Sequence, residues 1–350
     1  MKSTAMRAGH YRVAIVGAAG LKGRELNDVL HDRNFPARDV KLLDDDESLG
    51  QFDSVGDEAT FIQSVRPENF ENVDFVFFAS DEGFTRAHWK LAKRAGSSVV
   101  DLSYALEDEP QIAIRAPWVE RDLGSLPRAD LETTSAVVAH PAAVVIALLV
   151  LRAQKKAGIQ RVAAMIFEPV SERGKRGMDE LHEQTVNLLS FQQLPKTVFD
   201  AQVAFNMLSR YGDRSSTKLD AVERRIVTHF RHITRGNAIV PSLILAQSPI
   251  FHGYIFSIYM ELNQDEPISL EDFSAAFAGE HVTLVPSGEE SPNNVNAAGQ
   301  DEILLNVRRD ANNENAFWLW AAADNLRLAA ITAVDCAASL ALTRSRGAVQ

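Results

Sequence analysis

The chain has 350 residues, of which 46% are hydrophobic, so it is long enough to form two domains around a sizeable core. Its formal net charge of -11, without any long basic run, argues against nucleic acid or an anionic membrane surface as a partner. Cys336 is the single cysteine, which excludes an internal disulfide, and the N-terminus lacks the apolar core of a signal peptide; we therefore expect a cytoplasmic protein.

A glycine pattern follows the first predicted strand. The apolar run Val13–Val16 predicts a short buried strand, and Gly17, Gly20 and Gly23 follow it at G-x-x-G-x-x-G spacing. The segment Lys22–Asp32 then predicts a helix. Glycine lets the backbone approach a pyrophosphate that sits on the N–H groups of the helix N-terminus, so the pattern indicates a nucleotide site. A plain tight turn without a ligand remains the alternative.

Four acidic residues follow the second predicted strand, Val40–Leu43. An acidic residue at this place in a Rossmann-type unit holds a ribose hydroxyl of NAD, and Asp44 is the best candidate. The carboxylates would repel the 2′-phosphate of NADP, so we expect NAD to be favoured if a dinucleotide binds. The alternative is a solvated acidic loop. The four residues are Asp44, Asp45, Asp46 and Glu47.

Strands and helices alternate through the rest of the first half of the chain. This alternation predicts an α/β fold with a doubly wound parallel sheet of the Rossmann type. Residues 102–135 carry several prolines and are expected to be irregular. The predicted strands are Val73–Ala79, Ser98–Asp101 and Ser135–Ala139, and the predicted helices are Thr85–Ala95 and Ala142–Lys156.

The second half of the chain predicts a mixed sheet in an α+β domain. We place the Rossmann-type domain at residues 1–141 together with a C-terminal helix at 323–345, and the second domain at 142–322. The predicted strands are Val162–Phe167, Leu243–Ala246, Ile255–Glu261, Glu302–Val307 and Phe317–Ala322, and the predicted helices are Gly174–Leu189 and Asp324–Leu342.

Several motifs resemble those of the aspartate-β-semialdehyde dehydrogenases over nearly the whole chain. They include VGAAGLKGRELNDVL, VVDLSYALEDEP, EPVSERGKRGMDELHEQT, NAAGQDEILL and WLWAAADNLRLAA. The resemblance implies a Rossmann-type domain and a dimerisation domain. It also implies an enzyme of amino-acid biosynthesis that reduces aspartyl phosphate with NADPH through a cysteine thiolate.

The resemblance places the family's catalytic cysteine at Ala143, in the stretch His140-Pro141-Ala142-Ala143. A methyl group cannot form the thioester that this chemistry requires. Cys336 lies in the predicted final helix, where a small apolar residue suits packing, and does not replace the thiol. The chain is therefore identified as a divergent homologue that lacks the catalytic cysteine.

Other family positions are changed as well. The arginine that grips the substrate carboxylate corresponds to Gln247, and the proton-shuttling histidine to Tyr254. His252 lies two residues earlier and would share the face of Tyr254 if this stretch is extended, which makes it a weak catalytic candidate. The arginine that grips the phosphate corresponds to Glu107, and the glutamine that touches the substrate corresponds to Glu168.

The cofactor side is better preserved. The resemblance implies NADP for the family, whereas the acidic turn favours NAD. A third alternative is that the groove holds no cofactor. Asn325 keeps the family's residue on the nicotinamide side. We expect no metal site. The predicted cofactor-binding residues are Gly17, Gly20, Leu21, Gly23, Asp44, Ser80 and Asn325.

Three functions remain open at this point. The first is a pseudoenzyme that binds a nucleotide or a partner, as a homodimer or as a heterodimer with an active relative. The second is an active NAD(P)-dependent oxidoreductase with non-thiol chemistry, for which His140, His252, Tyr254 and Glu168 are the candidates. The third is a structural assembly protein with an empty groove.

Overall fold

The structure is a computed structural model that describes residues 11–48, 50, 52–55, 58–124, 134–264 and 266–343. The chain divides into two compact units. The first unit comprises Met1–Pro117, Leu126–Ala139 and Ala329–Gln350, and the second comprises Trp118–Ser125 and His140–Leu328. The limits of the functional domains given above stay a prediction.

Seven parallel strands form the sheet of the first unit, in the order β5-β2-β1-β6-β7-β9-β8. The strand order reverses beside β1, which pairs with β2 on one side and β6 on the other. This confirms the Rossmann-type sheet. Up to residue 138 the elements are β1 (Tyr11–Val16), α1 (Leu21–Asp32), β2 (Ala37–Asp44), β3 (Phe52–Val55), β4 (Glu58–Phe61), β5 (Gln63–Ser64), β6 (Phe75–Phe78), α2 (Glu82–Arg94), β7 (Ser98–Asp101), β8 (Ala113–Arg115), α3 (Pro117–Asp122) and β9 (Ser135–Val138).

A mixed sheet of six strands forms the second unit, in the order β11-β10-β12-β15-β14-β13. The pairs β10–β11 and β13–β14 are parallel, whereas the pairs β10–β12, β12–β15 and β14–β15 are antiparallel. This confirms the mixed-sheet prediction. The remaining elements are α4 (Pro141–Lys156), β10 (Ile159–Glu168), α5 (Gly174–Leu189), α6 (Leu219–Thr234), β11 (Ser242–Gln247), β12 (Tyr254–Leu262), α7 (Leu270–Ala275), β13 (Val282–Leu284), β14 (Ile303–Arg309), β15 (Ala316–Ala323) and α8 (Asn325–Thr343).

Burial explains why the central elements are so apolar. The β1 residues Val13–Val16 and the whole of β6 are inaccessible to solvent, as expected for parallel strands covered on both faces. Helix α4 is buried through thirteen of its sixteen residues, which fits an apolar sequence without a polar face.

One expectation about the fold is wrong, and one helix is missing from the sequence prediction. Residues 102–135 are not wholly irregular, because they contain β8 and α3. Helix α6 was not predicted, although Val222, Ile226, Phe230 and Ile233 form a buried stripe along it. The stripe is narrow and lies within a charged segment, so its helical period is easily missed.

Helix α8 is long and apolar enough to pass a composition test for a membrane span. Its stretch Asn325–Leu342 has a mean hydropathy of 1.3, and 67% of that stretch is buried inside the structure. Buried helices of folded cores pass the same test, so this helix is weak evidence for a membrane.

Candidate functional site

Two glycines of the turn after β1 are required by the fold itself. Gly17 has a φ of +87°, and a Cβ built on it would lie 2.5 Å from the backbone nitrogen of Ser80. A Cβ on Gly23 would lie 2.2 Å from the Gly17 carbonyl oxygen. Both positions therefore exclude any side chain, whether or not a ligand binds.

Gly20 differs from the other two glycines. It is the N-cap of α1 with a φ of -75°, and an added Cβ would meet only the Gly17 carbonyl oxygen, at 3.3 Å. No side chain caps α1, and its first turn has no acidic residue. Helix α2, by contrast, is capped by Asp81, whose carboxylate accepts from the Phe84 N–H. The N-terminus of α1 thus has the geometry that binds anions.

Asp44 ends β2 and reaches the glycine turn. Its Oδ2 accepts a hydrogen bond of 2.7 Å from the Ala19 N–H, and its Oδ1 accepts one of 2.9 Å from the Asp45 N–H. Burial raises the pKa of the Asp44 carboxyl, and the like charges of Asp45 and Asp81 raise it further, against those two hydrogen bonds. Asp45, Asp46 and Glu47 are exposed, so only Asp44 departs from the solvated-loop interpretation.

The loop after β7 is organised by a buried carboxylate that the sequence analysis missed. Asp101 accepts hydrogen bonds from the Ser103 N–H, the Ser103 hydroxyl and the Leu106 N–H, at 2.6–2.9 Å. The loop holds Tyr104 at a φ of +68°, and Lys22 Nζ lies 5.1 Å from the centre of the Tyr104 ring. Glu107 follows this loop and is half-buried.

Ser80 lies at the carboxyl end of β6, next to the glycine turn. Its hydroxyl is 2.9 Å from the Thr85 hydroxyl in the first turn of α2. Leu21 is half-buried at the start of α1. The structure therefore brings six of the seven predicted cofactor residues to the carboxyl edge of the first sheet. These six residues are Gly17, Gly20, Leu21, Gly23, Asp44 and Ser80.

In the second unit, Ala143 lies in the first turn of α4 and is fully buried. His140 caps this helix, and its Nδ1 accepts from the Ala142 N–H at 3.3 Å. The His140 N–H in turn donates to Nδ1 of the buried His229, at 2.9 Å. Each accepting nitrogen carries no proton, so both rings are held as structural acceptors beside an alanine methyl group.

Glu168 and Gln247 meet in a buried polar network together with two residues that the sequence analysis missed. Arg173 forms an ion pair with Glu168, and its Nε donates to the Tyr211 hydroxyl at 3.3 Å. The Tyr211 hydroxyl donates to Gln247 Oε1 at 2.5 Å, and Gln247 Nε2 donates to the Glu168 carbonyl at 2.8 Å. We call these four residues the Glu168 network.

Burial and the neighbouring side chains of the Glu168 network together set the protonation states of Arg173 and Tyr211. Glu168 and Gln247 are inaccessible to solvent. Burial lowers the pKa of the Arg173 guanidinium, but Glu168, Tyr211 and Glu172 together outweigh burial and keep that pKa raised. Burial also raises the pKa of the Tyr211 phenol, which therefore remains a neutral donor.

The remaining candidates do not form an extended catalytic strand. Strand β12 begins at Tyr254, which is fully buried, and Gly253 precedes it with a φ of +85°. The half-buried His252 therefore lies in a bend, so the stretch is not extended and the condition for His252 to share the face of Tyr254 is not met.

Asn325 uses its whole amide group within the second unit. Its Oδ1 accepts from the Gly253 N–H at 3.1 Å, and its Nδ2 donates to Ser171 Oγ at 3.1 Å and to Glu172 Oε1 at 2.9 Å. Among the described residues, no group of three or more His, Cys, Asp or Glu side chains is arranged to hold a metal ion.

A doubly wound parallel sheet with a glycine turn at its switch point defines a Rossmann-type fold of the dinucleotide-binding class, which this chain carries together with a mixed-sheet unit. Residues 12–125 match the NAD binding domain of semialdehyde dehydrogenases, and residues 148–328 match the semialdehyde dehydrogenase dimerisation domain. The chain therefore belongs to the semialdehyde dehydrogenase family.

Similar proteins carry two kinds of name. An aspartate-semialdehyde dehydrogenase of Rickettsia conorii is 29% identical, covering 94% of this chain and 97% of its own. A Pseudomonas aeruginosa protein named USG-1 protein homolog is 31% identical, covering 92% of this chain and 95% of its own. The structure of a probable aspartate-semialdehyde dehydrogenase from Pseudomonas aeruginosa matches with a TM-score of 0.83 at 29% identity, covering 95% of this chain and 99% of its own.

Proposed function

We propose that this protein is a non-catalytic member of the family that binds an adenine nucleotide and does not perform the thiol-dependent dehydrogenase reaction. The observation that carries the proposal is Ala143, a buried methyl group at the position of the family's nucleophile. Its neighbour His140 already accepts the N–H of Ala142. This hydrogen bond uses His140 Nδ1 to cap the helix and does not direct it at the methyl group of Ala143. The methyl group itself cannot form a covalent intermediate.

The Glu168 network supports the loss of substrate binding. Two positions that contact the substrate in the family, Glu168 and Gln247, are bonded here to Arg173, Tyr211 and backbone carbonyls. A carboxylate already lies against the only guanidinium in this network. An acidic substrate would have to displace Glu168 from a buried ion pair, which costs several kcal/mol.

The first unit supports nucleotide binding with NAD preferred over NADP. The uncapped N-terminus of α1 and Gly20, which has no side chain, fit a pyrophosphate, and Asp44 lies beside the turn, where an acidic residue can accept from a ribose hydroxyl. Asp45 and Asp81 add negative charge near Asp44. A single unit charge about 4 Å from a phosphate charge costs roughly 1 kcal/mol in water and about 4 kcal/mol at an effective dielectric of 20.

A row of exposed apolar side chains supports dimer formation through the second unit. Ile244 pairs with Met165, Met165 with Ser257, and Ser257 with Trp320, so the four residues cross one face of the sheet in a line. Ile244, Met165 and Trp320 are each between 38% and 45% exposed. We propose a cytoplasmic homodimer, or a heterodimer with an active relative that serves amino-acid biosynthesis. Light scattering that gives a monomer mass at all concentrations would rule the dimer out.

Two measurements test the proposal. We expect no phosphate-dependent oxidation of aspartate semialdehyde above background, and turnover that survives removal of contaminating enzymes would overturn the non-catalytic assignment. In a thermal-shift scan we expect NAD and NADH to stabilise the protein more than NADP and NADPH. Absence of stabilisation by all four would favour the structural assembly protein.

A further inference from the structure

The two ends of the nucleotide groove in the first unit differ in how they are built. On the β2 side, Asp44 accepts from the Ala19 N–H, and the N-terminus of α1 is uncapped. A dinucleotide in a sheet of this kind lies across the switch point, with its adenosine ribose beside the acidic residue after the second strand. Its other half must then extend past β1 toward β6 and β7.

One contact, which we call the Lys22–Tyr104 bridge, joins a residue of α1 to the loop that follows β7. Lys22 follows β1 and Tyr104 follows β7, and β6 lies between these two strands. Neighbouring strands are about 4.8 Å apart, so β1 and β7, which β6 separates, lie roughly 10 Å apart in the sheet. The Lys22 ammonium lies 5.1 Å from the centre of the Tyr104 ring, within the range of a cation–π interaction.

The Tyr104 side of this bridge is held in place by its loop. Tyr104 adopts a φ of +68°, a left-handed conformation that bulky residues rarely take. Asp101 maintains the loop through three hydrogen bonds, and Tyr104 is only 7% exposed. A strained residue that its surroundings fix in this way is typical of functional sites.

The residue at the family's nicotinamide position is also engaged. The Asn325 amide bonds to Gly253, Ser171 and Glu172 through both its oxygen and its nitrogen. It can hold a carboxamide only by giving up bonds that are buried within its own unit. The first unit therefore retains the features for an adenosine diphosphate, whereas the Asn325 amide of the second unit is already used within that unit.

We propose that the groove recognises the adenosine diphosphate part of its ligand and that the Lys22–Tyr104 bridge ends it there. Ligands with this part, such as ADP and ADP-ribose, then bind as tightly as NAD. This inference rests on the proposed nucleotide-binding function.

Calorimetry with NAD, ADP-ribose, ADP and nicotinamide mononucleotide tests the inference. We expect dissociation constants for NAD, ADP-ribose and ADP that agree within about threefold, and no binding of nicotinamide mononucleotide. NAD that binds at least tenfold more tightly than ADP-ribose would overturn the inference and leave nucleotide binding intact. If none of the four binds, the proposed nucleotide function fails and the inference fails with it.

A variant of the bridge sharpens this test. Tyr104→Gly removes the ring and relieves the left-handed conformation, so we expect NAD to gain at least threefold over ADP-ribose while ADP is unchanged. Asn72→Gly is the matched control, because Asn72 also has a positive φ, of 58°, at an exposed turn. An unchanged ratio of NAD to ADP-ribose affinity in Tyr104→Gly would count against the bridge.

Gly20→Ala tests the other end of the groove. The backbone φ of -75° accepts alanine, so we expect a folded protein whose melting temperature stays within a few degrees of wild type. The methyl group lies where the turn must approach a phosphate, so ADP affinity should fall at least tenfold. Wild-type ADP affinity in Gly20→Ala would contradict the assignment of this turn to the diphosphate.

Discussion

The two units of this protein have kept different parts of the family design. In the first unit, the glycine turn, the open helix end and Asp44 remain arranged around one edge of a parallel sheet. In the second unit, Glu168 and Gln247, which we propose to correspond to the family's substrate contacts, are bonded to each other within the Glu168 network. Nucleotide binding needs backbone N–H groups and few side chains, whereas catalysis needs several side chains together, which is why we propose that catalysis is lost and nucleotide binding is kept.

The largest expected effect concerns catalysis in the second unit. We expect Ala143→Cys to leave aspartate-semialdehyde oxidation at background, about 10⁴-fold or more below an active relative assayed in parallel, because catalytic groups act as a unit. Glu107, Gln247 and Tyr254 would still lack the phosphate grip, the carboxylate grip and the proton shuttle. Full activity in this single variant would contradict our interpretation of the other three positions.

The next effect concerns the stability of the Glu168 network. Glu168→Ala leaves the Arg173 charge without its partner, and we expect a loss of about 3–5 kcal/mol in the free energy of unfolding measured with denaturant. The double variant Glu168→Leu with Arg173→Met should recover most of that loss.

The matched control is Arg224→Gln, which breaks the exposed pair with Asp220 and should cost less than about 1 kcal/mol. Equal losses in Glu168→Ala and Arg224→Gln would show that the buried network has no special weight. The claim that the second unit is stabilised by its buried polar network would then be wrong.

A smaller effect is expected in the first unit. Asp44→Asn removes one negative charge beside the glycine turn, and we expect the preference for NAD over NADP to narrow by about three- to tenfold. Calorimetry at two salt concentrations should show a larger change at low salt, because exposed charges are screened. NADP binding that is tighter than NAD binding in the wild-type protein would refute the role of the acidic turn.

The smallest effect is a pH dependence from Asp101. Burial raises the pKa of its carboxyl above the ordinary 3.8, against hydrogen bonds from Ser103 and Leu106. The folded state therefore keeps a proton on Asp101 that the unfolded chain releases. The contribution of Asp101 to the free energy of unfolding is full below pH 3.8 and is lost as pH rises through the folded-state pKa.

The stability difference between wild type and Asp101→Asn measures this contribution. As pH rises above 3.8, we expect the free energy of unfolding of wild type to fall relative to that of Asp101→Asn. A shift in the opposite direction would mean that the hydrogen bonds of the loop outweigh burial.

The sequence by itself determined the fold class and the nucleotide edge. Val13–Val16, the three glycines and Asp44 lie within one short βαβ segment, where period and spacing are local properties that a reader of the sequence can count. Alternation of apolar runs with helical stretches was enough to predict the parallel sheet. The family motifs then indicated Ala143 and the other substituted positions.

Only the tertiary structure decided which side chains meet. Arg173 and Tyr211 are separated by 38 residues, and Lys22 and Tyr104 follow strands that another strand separates in the sheet. The bend at Gly253 and the complete use of the Asn325 amide are likewise invisible in a residue pattern. Contacts of this kind depend on how distant segments pack. The periodicity of side chains along a helix or strand shows which face is buried, but it does not show which other element packs against that face.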